Sequence, residues 1–198
     1  MHQSDAKHIS NFRVFAPKFQ GIRIHMLPIV LGEPLPESVN QYDSLVKQIA
    51  DSTGYTGNHA FLMVDESFVP AGQHHRRPGI HVEGHWNISA HGPQPGRHRP
   101  TPEPLHRPPR HSGVGAVCEQ VLMWSNTGGT AFYKGRYTRD FATDWRGGDC
   151  SDVDVSKMDR ITSGPYELWE TDVVGLHETT PMPINSHRQF LRINIPLH

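Results

Sequence analysis

Apolar residues recur at three- and four-residue intervals in one stretch of the chain and alternate, or run in short blocks, nearly everywhere else. The helical stretch is Val39, Tyr42, Leu45, Val46 and Ile49; Ser38 with Gln41 three positions on forms a capping-box pattern at its start, and Gly54 closes it. This predicts one amphipathic helix packed on a larger body. Before it, residues 12–30 (FRVFAPKFQGIRIHMLPIV) are rich in β-branched and aromatic side chains, and Pro17 and Gly21 divide them into two short predicted strands. From residue 59 onward HAFLMVDE, GIHVEGHWNI, GAVCEQVLMWSN, TAFYKGRY, GPYELWET, VVGLHE and RQFLRINIPL carry strand patterns between turn residues. A mainly β domain, closed as a sandwich or barrel with one or a few helices outside it, follows from that order.

One segment fits neither period. Residues 91–113 (HGPQPGRHRPTPEPLHRPPRHSG) hold seven Pro, four Arg and four His with Glu103 as the single acid. Proline at that density excludes a central strand or a helix, so the segment reads as a solvated, polyproline-like loop insertion, with a mobile lid or a basic docking arm as sharper readings. With no internal repeats and 198 residues, the expected organisation is one domain over 1–198 carrying that insertion.

Composition narrows the classes of partner. Nineteen Lys and Arg stand against 20 Asp and Glu, a net charge of −1, which offers no field to steer the chain to nucleic acid or an anionic membrane. The opening MHQSDAKHIS has no apolar core of a signal peptide, and Met26 to Leu31, broken by Pro28, is too short to span a bilayer; the expected compartment is the cytoplasm. Cys118 and Cys150 form no CxxC pair and read as ordinary reduced thiols. Gly147 to Cys150 reads as a turn, and Asp149, Asp152 and Asp154 lack the spacing of a calcium loop.

Fifteen histidines in 198 residues point to metal or proton chemistry, because imidazole is the commonest metal ligand and titrates near neutral pH. In GIHVEGHWNI, His81 and Glu83 are two apart, so in a strand both side chains leave one face and two ligand atoms can converge on one ion. His85 shares that face but lies about 13 Å of strand rise from His81, too far to meet the same ion. The third ligand is sought in His177, at the end of an apolar strand. Eleven residues on, Arg188 opens the last strand, where Arg188, Phe190, Arg192 and Asn194 share one face and Gln189, Leu191, Ile193 and Ile195 the other. Two guanidinium groups on an inward face call for an anionic ligand, and Arg grips a carboxylate through two nitrogens.

His81-Val82-Glu83, then His177, then Arg188, resembles the HxD/E…H…R pattern of the Fe(II)- and 2-oxoglutarate-dependent oxygenases. The resemblance covers residues 60–196 and implies a double-stranded β-helix, the jelly-roll or cupin-like barrel. It implies Fe(II) held by His81, Glu83 and His177 as a facial triad, with open positions for the oxo acid and dioxygen. It also implies 2-oxoglutarate as cosubstrate and a dioxygenase that hydroxylates a small molecule while the oxo acid becomes succinate. Arg188 is the residue expected to hold the oxo acid, and Arg192, four beyond it, is the alternative. Asn126 and Tyr133 are further candidates for the cofactor, and Arg77, His85 and Trp86 for the substrate. The carboxylate is Glu where Asp is commoner, and the gap from Glu83 to His177 is long, the insertion taking up much of it.

Blander readings stand beside these. His74, His75, His91, His98, His106 and His111 read as solvated loop residues, and Trp124, Trp145 and Trp169 as core or rim packing. Two other functions fit the same residues: a cupin-type metal-dependent enzyme with no oxo-acid cosubstrate, Arg188 then holding the substrate's own carboxylate, and a jelly-roll binding protein with no catalysis. The residues choose neither the substrate nor an oligomeric state.

Overall fold

Ten strands and one α-helix make up the regular structure of the described residues, 1–83, 119–139 and 148–196 of this computed structural model. In chain order they are β1 (His2–Ser4), β2 (Ala6–Asn11), β3 (Arg23–Val30), α1 (Asp43–Thr53), β4 (His59–Val69), β5 (Glu119–Ser125), β6 (Thr130–Tyr137), β7 (Asp159–Thr162), β8 (Glu167–Asp172), β9 (His177–Thr179) and β10 (Ser186–Pro196). Pairing is antiparallel throughout, in two sheets: a six-stranded one ordered β2-β8-β5-β10-β4-β3, and a smaller one in which β6 pairs with β1, β7 and β9. The chain is thus mainly β. The segment 91–113 lies outside the described residues, among which no helix is long and apolar enough to cross a membrane.

The alternation along β10 decides where the two cores lie. Leu191, Ile193 and Ile195 pack with Leu62 and Val64 of β4, Leu122 of β5 and Leu45, Val46 and Ile49 of α1 in the larger core, which seats the helix on the outside of the large sheet. Phe190, on the opposite parity, packs with Met63, Met123, Trp169 and Phe132 of the smaller sheet, so this face lies between the sheets. Arg188 and Arg192 share that inner parity and are both buried.

Local chemistry changed several predicted elements. Residues 12–30 form one strand, not two: Arg13–Phe15 is a 3-10 turn, and β3 starts at Arg23. Two polar strands that the pattern does not signal, β1 and β2, pair at sheet edges with β6 and β8. The predicted helix is divided; Glu37–Tyr42 is 3-10 and α1 begins at Asp43, with no side-chain cap from Ser38. Asp43 instead turns outward to accept the Leu35 N–H at 2.7 Å. The helix ends as expected, on Gly54 at φ 77, its N–H bonded to the Ala50 carbonyl.

A carboxylate fastens the helix layer to the large sheet. Glu66 of β4 faces the helix side and is 2% exposed. Its Oε1 accepts from Tyr42 Oη (2.6 Å), Gln189 Nε2 (3.0 Å) and Gln41 Nε2 (3.2 Å), and its Oε2 from the Gln20 and Ile22 N–H groups (2.6 and 3.0 Å). Burial pushes the Glu66 carboxyl up, but these donors outweigh it and hold it below its ordinary value. A depressed carboxylate contributes stability above its unfolded pKa, and that contribution is lost as pH falls through the folded one. Glu66→Leu strands buried donors at about 1–3 kcal/mol each, so a loss of about 3 kcal/mol or more is expected in urea denaturation at neutral pH. The wild-type protein should lose stability on acidification below the ordinary glutamate range, and the variant should lack that component.

Candidate metal centre

The smaller sheet brings two histidines into register. His177 opens β9 opposite Phe132 of β6, and on its other side it forms an antiparallel bridge with His81. The two exchange both backbone hydrogen bonds, His81 N–H to the His177 carbonyl at 2.9 Å and the reverse at 3.0 Å. Residues directly opposite in an antiparallel pair send their side chains from the same face, and the two imidazole centroids stand 4.5 Å apart.

GIHVEGHWNI is not a regular strand in its described part, 79–83: His81 makes an isolated bridge, and residues 82 and 83 lie outside any ladder. The chain is nevertheless held, because the Val82 N–H reaches the Gly148 carbonyl at 2.9 Å. Val82 packs with Tyr133, Tyr137 and Leu176 behind the small sheet, so His81 and Glu83 emerge together on the other face. Ligand atoms of His81, Glu83 and His177 lie within 4.8 Å of one another, and Glu83 Oε1 is 3.7 Å from His177 Nε2.

Both rings are oriented by the backbone. His81 Nδ1 donates to the Gly79 carbonyl at 2.8 Å and His177 Nδ1 to the Gly175 carbonyl at 2.9 Å. A carbonyl only accepts, so Nδ1 carries the hydrogen and the neutral ring keeps its lone pair on Nε2. A ring N–H held by a carbonyl in this way fixes the orientation that a metal-binding histidine needs. Burial, with His177 beside it, pushes His81 down to about 3, which keeps its imidazole neutral at physiological pH. Burial pushes Glu83 up, but the Arg192 guanidinium beside it outweighs this and holds its carboxyl well below the ordinary range. Two imidazoles and an ionised carboxylate, mutually close and partly buried, form a donor set that fits a divalent transition metal.

The two inward arginines differ in use. Arg192 is ion-paired with Glu83 Oε2. Arg188 is fully buried; its Nε donates to Ser125 Oγ at 3.1 Å, its Nη2 to the Gly128 carbonyl at 2.8 Å, and its guanidinium lies 5.4 Å over the Phe190 ring. Gly128 is required there: it holds φ 70, and a Cβ would fall 2.4 Å from the Ser163 carbonyl oxygen. Arg188 Nη1 is buried with no hydrogen-bond partner among the described residues. Burial and the Arg76 charge push Arg188 down to about 10, opposed by Asp65, so it stays cationic at neutral pH.

The remaining predicted site residues are scattered. Asn126 is spent on the backbone of β10, accepting the Gln189 N–H at 2.8 Å and donating to the His187 carbonyl at 3.0 Å. Tyr133 has the wrong parity: it faces the back of the small sheet and its hydroxyl donates to Glu178. Its neighbour Phe132 faces inward instead, 6.2 Å from the His177 ring and stacked on Trp169. Arg77 is exposed, its charge near enough to help lower His81. His85, Trp86, Trp145 and Cys118 lie outside the described residues. His75 is no solvated loop residue: its side chain is 3% exposed and its Nε2 is 3.0 Å from Asp65 Oδ1, while His74 Nδ1 bonds the Thr179 carbonyl at 2.9 Å. Burial pushes Asp65 up, but His75, Arg76 and Ser67 hold it well below its ordinary value. The signal for this cluster was an acid, Asp65, at an inward position of an apolar strand, where it needs cationic partners.

The chain matches no protein-family model and no curated protein. Among solved structures it is similar to EvdMO1, at 12% identity and a TM-score of 0.44, over 96% of this chain. This chain spans 38% of the length of EvdMO1, and at that looseness nothing of EvdMO1 is carried over to it.

Proposed function

We propose that this protein is a non-haem Fe(II), 2-oxoglutarate-dependent dioxygenase that hydroxylates a small molecule, on a double-stranded β-helix of which the two antiparallel sheets are the walls. The observation that carries this reading is the convergence of ligand atoms of His81, Glu83 and His177 within 4.8 Å, with both Nδ1 atoms engaged by carbonyls and His177 Nε2 3.7 Å from Glu83 Oε1. Three protein ligands leave open positions, and Fe(II) bound there would supply oxidising power from dioxygen and the oxo acid. An Fe(II) centre suits the reducing cytoplasm, and a net charge of −1 gives nucleic acid no general attraction.

The residues of the chain would bind, orient and exclude water. Arg188 Nη1, a buried cationic donor without an acceptor among the described residues, is suited to the distal carboxylate of the oxo acid. Phe132, Trp169 and Phe190 pack in one apolar cluster that touches the Arg188 guanidinium through Phe190 and the His177 ring through Phe132. An apolar cluster lowers the local dielectric, which strengthens the charge-assisted bond from Arg188. Phe132 also packs against the His177 ring, limiting its freedom to turn from the ligand position.

A second reading is favoured by one detail. Arg188 already spends Nε and Nη2 on Ser125 and Gly128, so it offers one nitrogen rather than a fork. Such a single donor would serve equally for the substrate's own carboxylate in a cupin-type metalloenzyme without an oxo acid.

Anaerobic reconstitution with Fe(II) followed by 2-oxoglutarate should give a weak visible charge-transfer band, and dioxygen should then yield succinate. Iron binding without a band or succinate favours the cupin-type reading, and no iron binding refutes both. Glu83→Ala should abolish iron binding and the band while far-UV circular dichroism is unchanged. Arg188→Lys should keep iron affinity but raise the 2-oxoglutarate concentration for half-maximal band intensity by about tenfold, the value of one charge-assisted hydrogen bond of about 1.5 kcal/mol. An unchanged concentration would move the oxo acid to another cation.

A further inference from the structure

The geometry points to Arg192 as a positioning residue that assigns different tasks to the two oxygens of Glu83, holding Oε2 so that Oε1 alone is offered to a metal ion. This rests on the metal centre proposed above and concerns how the chain shapes it.

The two oxygens already face different groups. Glu83 Oε2 is ion-paired with Arg192 Nη1, whereas Oε1 is the oxygen 3.7 Å from His177 Nε2. A carboxylate with one oxygen gripped by a guanidinium cannot rotate freely to present both to an ion. A single ligating oxygen leaves one more coordination position for other ligands than a chelating pair would.

Arg192 has little else to bind. It is 5% exposed, and in register it lies between Met63 of β4 and Met123 of β5, whose side chains offer no strong acceptor. Its Nε has no hydrogen-bond partner among the described residues, and its Nη2 meets Met26 Sδ at 3.6 Å, a weak acceptor. Met26 arrives there through a bulge in β3, where the register with β4 shifts between Ile24 and Leu27 and Met26 adopts φ 53. Non-glycine residues seldom hold that conformation, and bulges of this kind re-aim a side chain. With Met63 and Met123 flanking Arg192 in register and Met26 against its Nη2, Glu83 is its one strong anionic partner among the described residues. A buried cation with a single counter-ion fixes the position of that counter-ion.

The alternative is that Arg192 competes with the metal for Glu83, since cation and guanidinium repel. The two roles predict opposite signs. Wild-type protein, Arg192→Met and Arg192→Lys should be titrated with Co(II) as the probe, with affinity and visible d–d bands read together and far-UV circular dichroism as the fold check. If Arg192 positions Glu83, Arg192→Met binds Co(II) about 10- to 100-fold more weakly, as for other lost partners of metal ligands, and its bands shift as the second oxygen is released. Arg192→Lys, which keeps the charge but loses the planar fork, should fall between the two. Wild-type affinity and bands in the variants, or tighter binding, overturn the inference while leaving the metal centre intact. If Arg192→Met does not fold, Arg192→Lys decides alone: weaker binding with shifted bands supports the role, and wild-type behaviour overturns it. A wild-type protein that binds no Co(II) or Fe(II) overturns the metal centre and the role together.

Discussion

Two guanidinium groups on the inner face of β10 need negative partners between two sheets, and much of the interior is arranged to supply them. Arg192 meets Glu83, delivered by the segment that also carries His81. Arg188 lies within the influence of Asp65, an inward residue of the neighbouring β4 that is itself held by His75 and Arg76. An isolated cation in such a site would cost several kcal/mol, so Arg192 ties Glu83 to its place, whereas Arg188 is held by Ser125 and the Gly128 carbonyl with Asp65 acting on it only at longer range. Of the ligand candidates, Glu83 is thus tied to β10 through Arg192, while His81 and His177 are held by their pairing with each other and with β6.

How much of this was readable in the chain follows from which distances lie within one element. The parity of β10 was legible, because Leu191, Ile193 and Ile195 alternate cleanly with Arg188, Phe190 and Arg192 along a single strand. The pairing of His81 with Glu83 was legible for the same reason and survived even though the segment forms no regular ladder there: alternation needs an extended backbone, not a neighbour strand. Cross-strand relations were not legible. Thr130 to Tyr137 carries Phe132 on one face and Tyr133 on the other, so an aromatic pattern alone cannot say which one looks inward. His75 sits in a turn-rich stretch that reads as solvated, and its burial is set by Asp65, ten residues away.

The polar edges were missed for a further reason. β1 and β2 have few apolar residues because edge strands bury little, and backbone pairing to β6 and β8 supplies their order. Similarly, Ser38 and Gln41 match a helix start by type, yet the chain enters α1 through a 3-10 turn and Gln41 is drawn to Glu66. A tertiary hydrogen bond to a buried carboxylate outweighed a local cap, as expected when the acceptor is charged and shielded from water.

Glu66 and Glu83 separate structural from chemical use of a carboxylate in one protein. Both are held below the ordinary glutamate range against the opposing effect of burial. Glu66 has every lone-pair direction engaged, by three side chains on Oε1 and two backbone N–H groups on Oε2, and so has nothing left to offer an ion. Glu83 has its strong partner on Oε2 and directs Oε1 toward an imidazole nitrogen whose ring hydrogen is already placed elsewhere. A low pKa alone would not distinguish them, since fixed donors and nearby cations lower it alike. What distinguishes them is unspent acceptor capacity: both oxygens of Glu66 are engaged by donors, whereas Glu83 Oε1 faces an imidazole nitrogen 3.7 Å away, and either a proton or a metal ion between them would satisfy both groups.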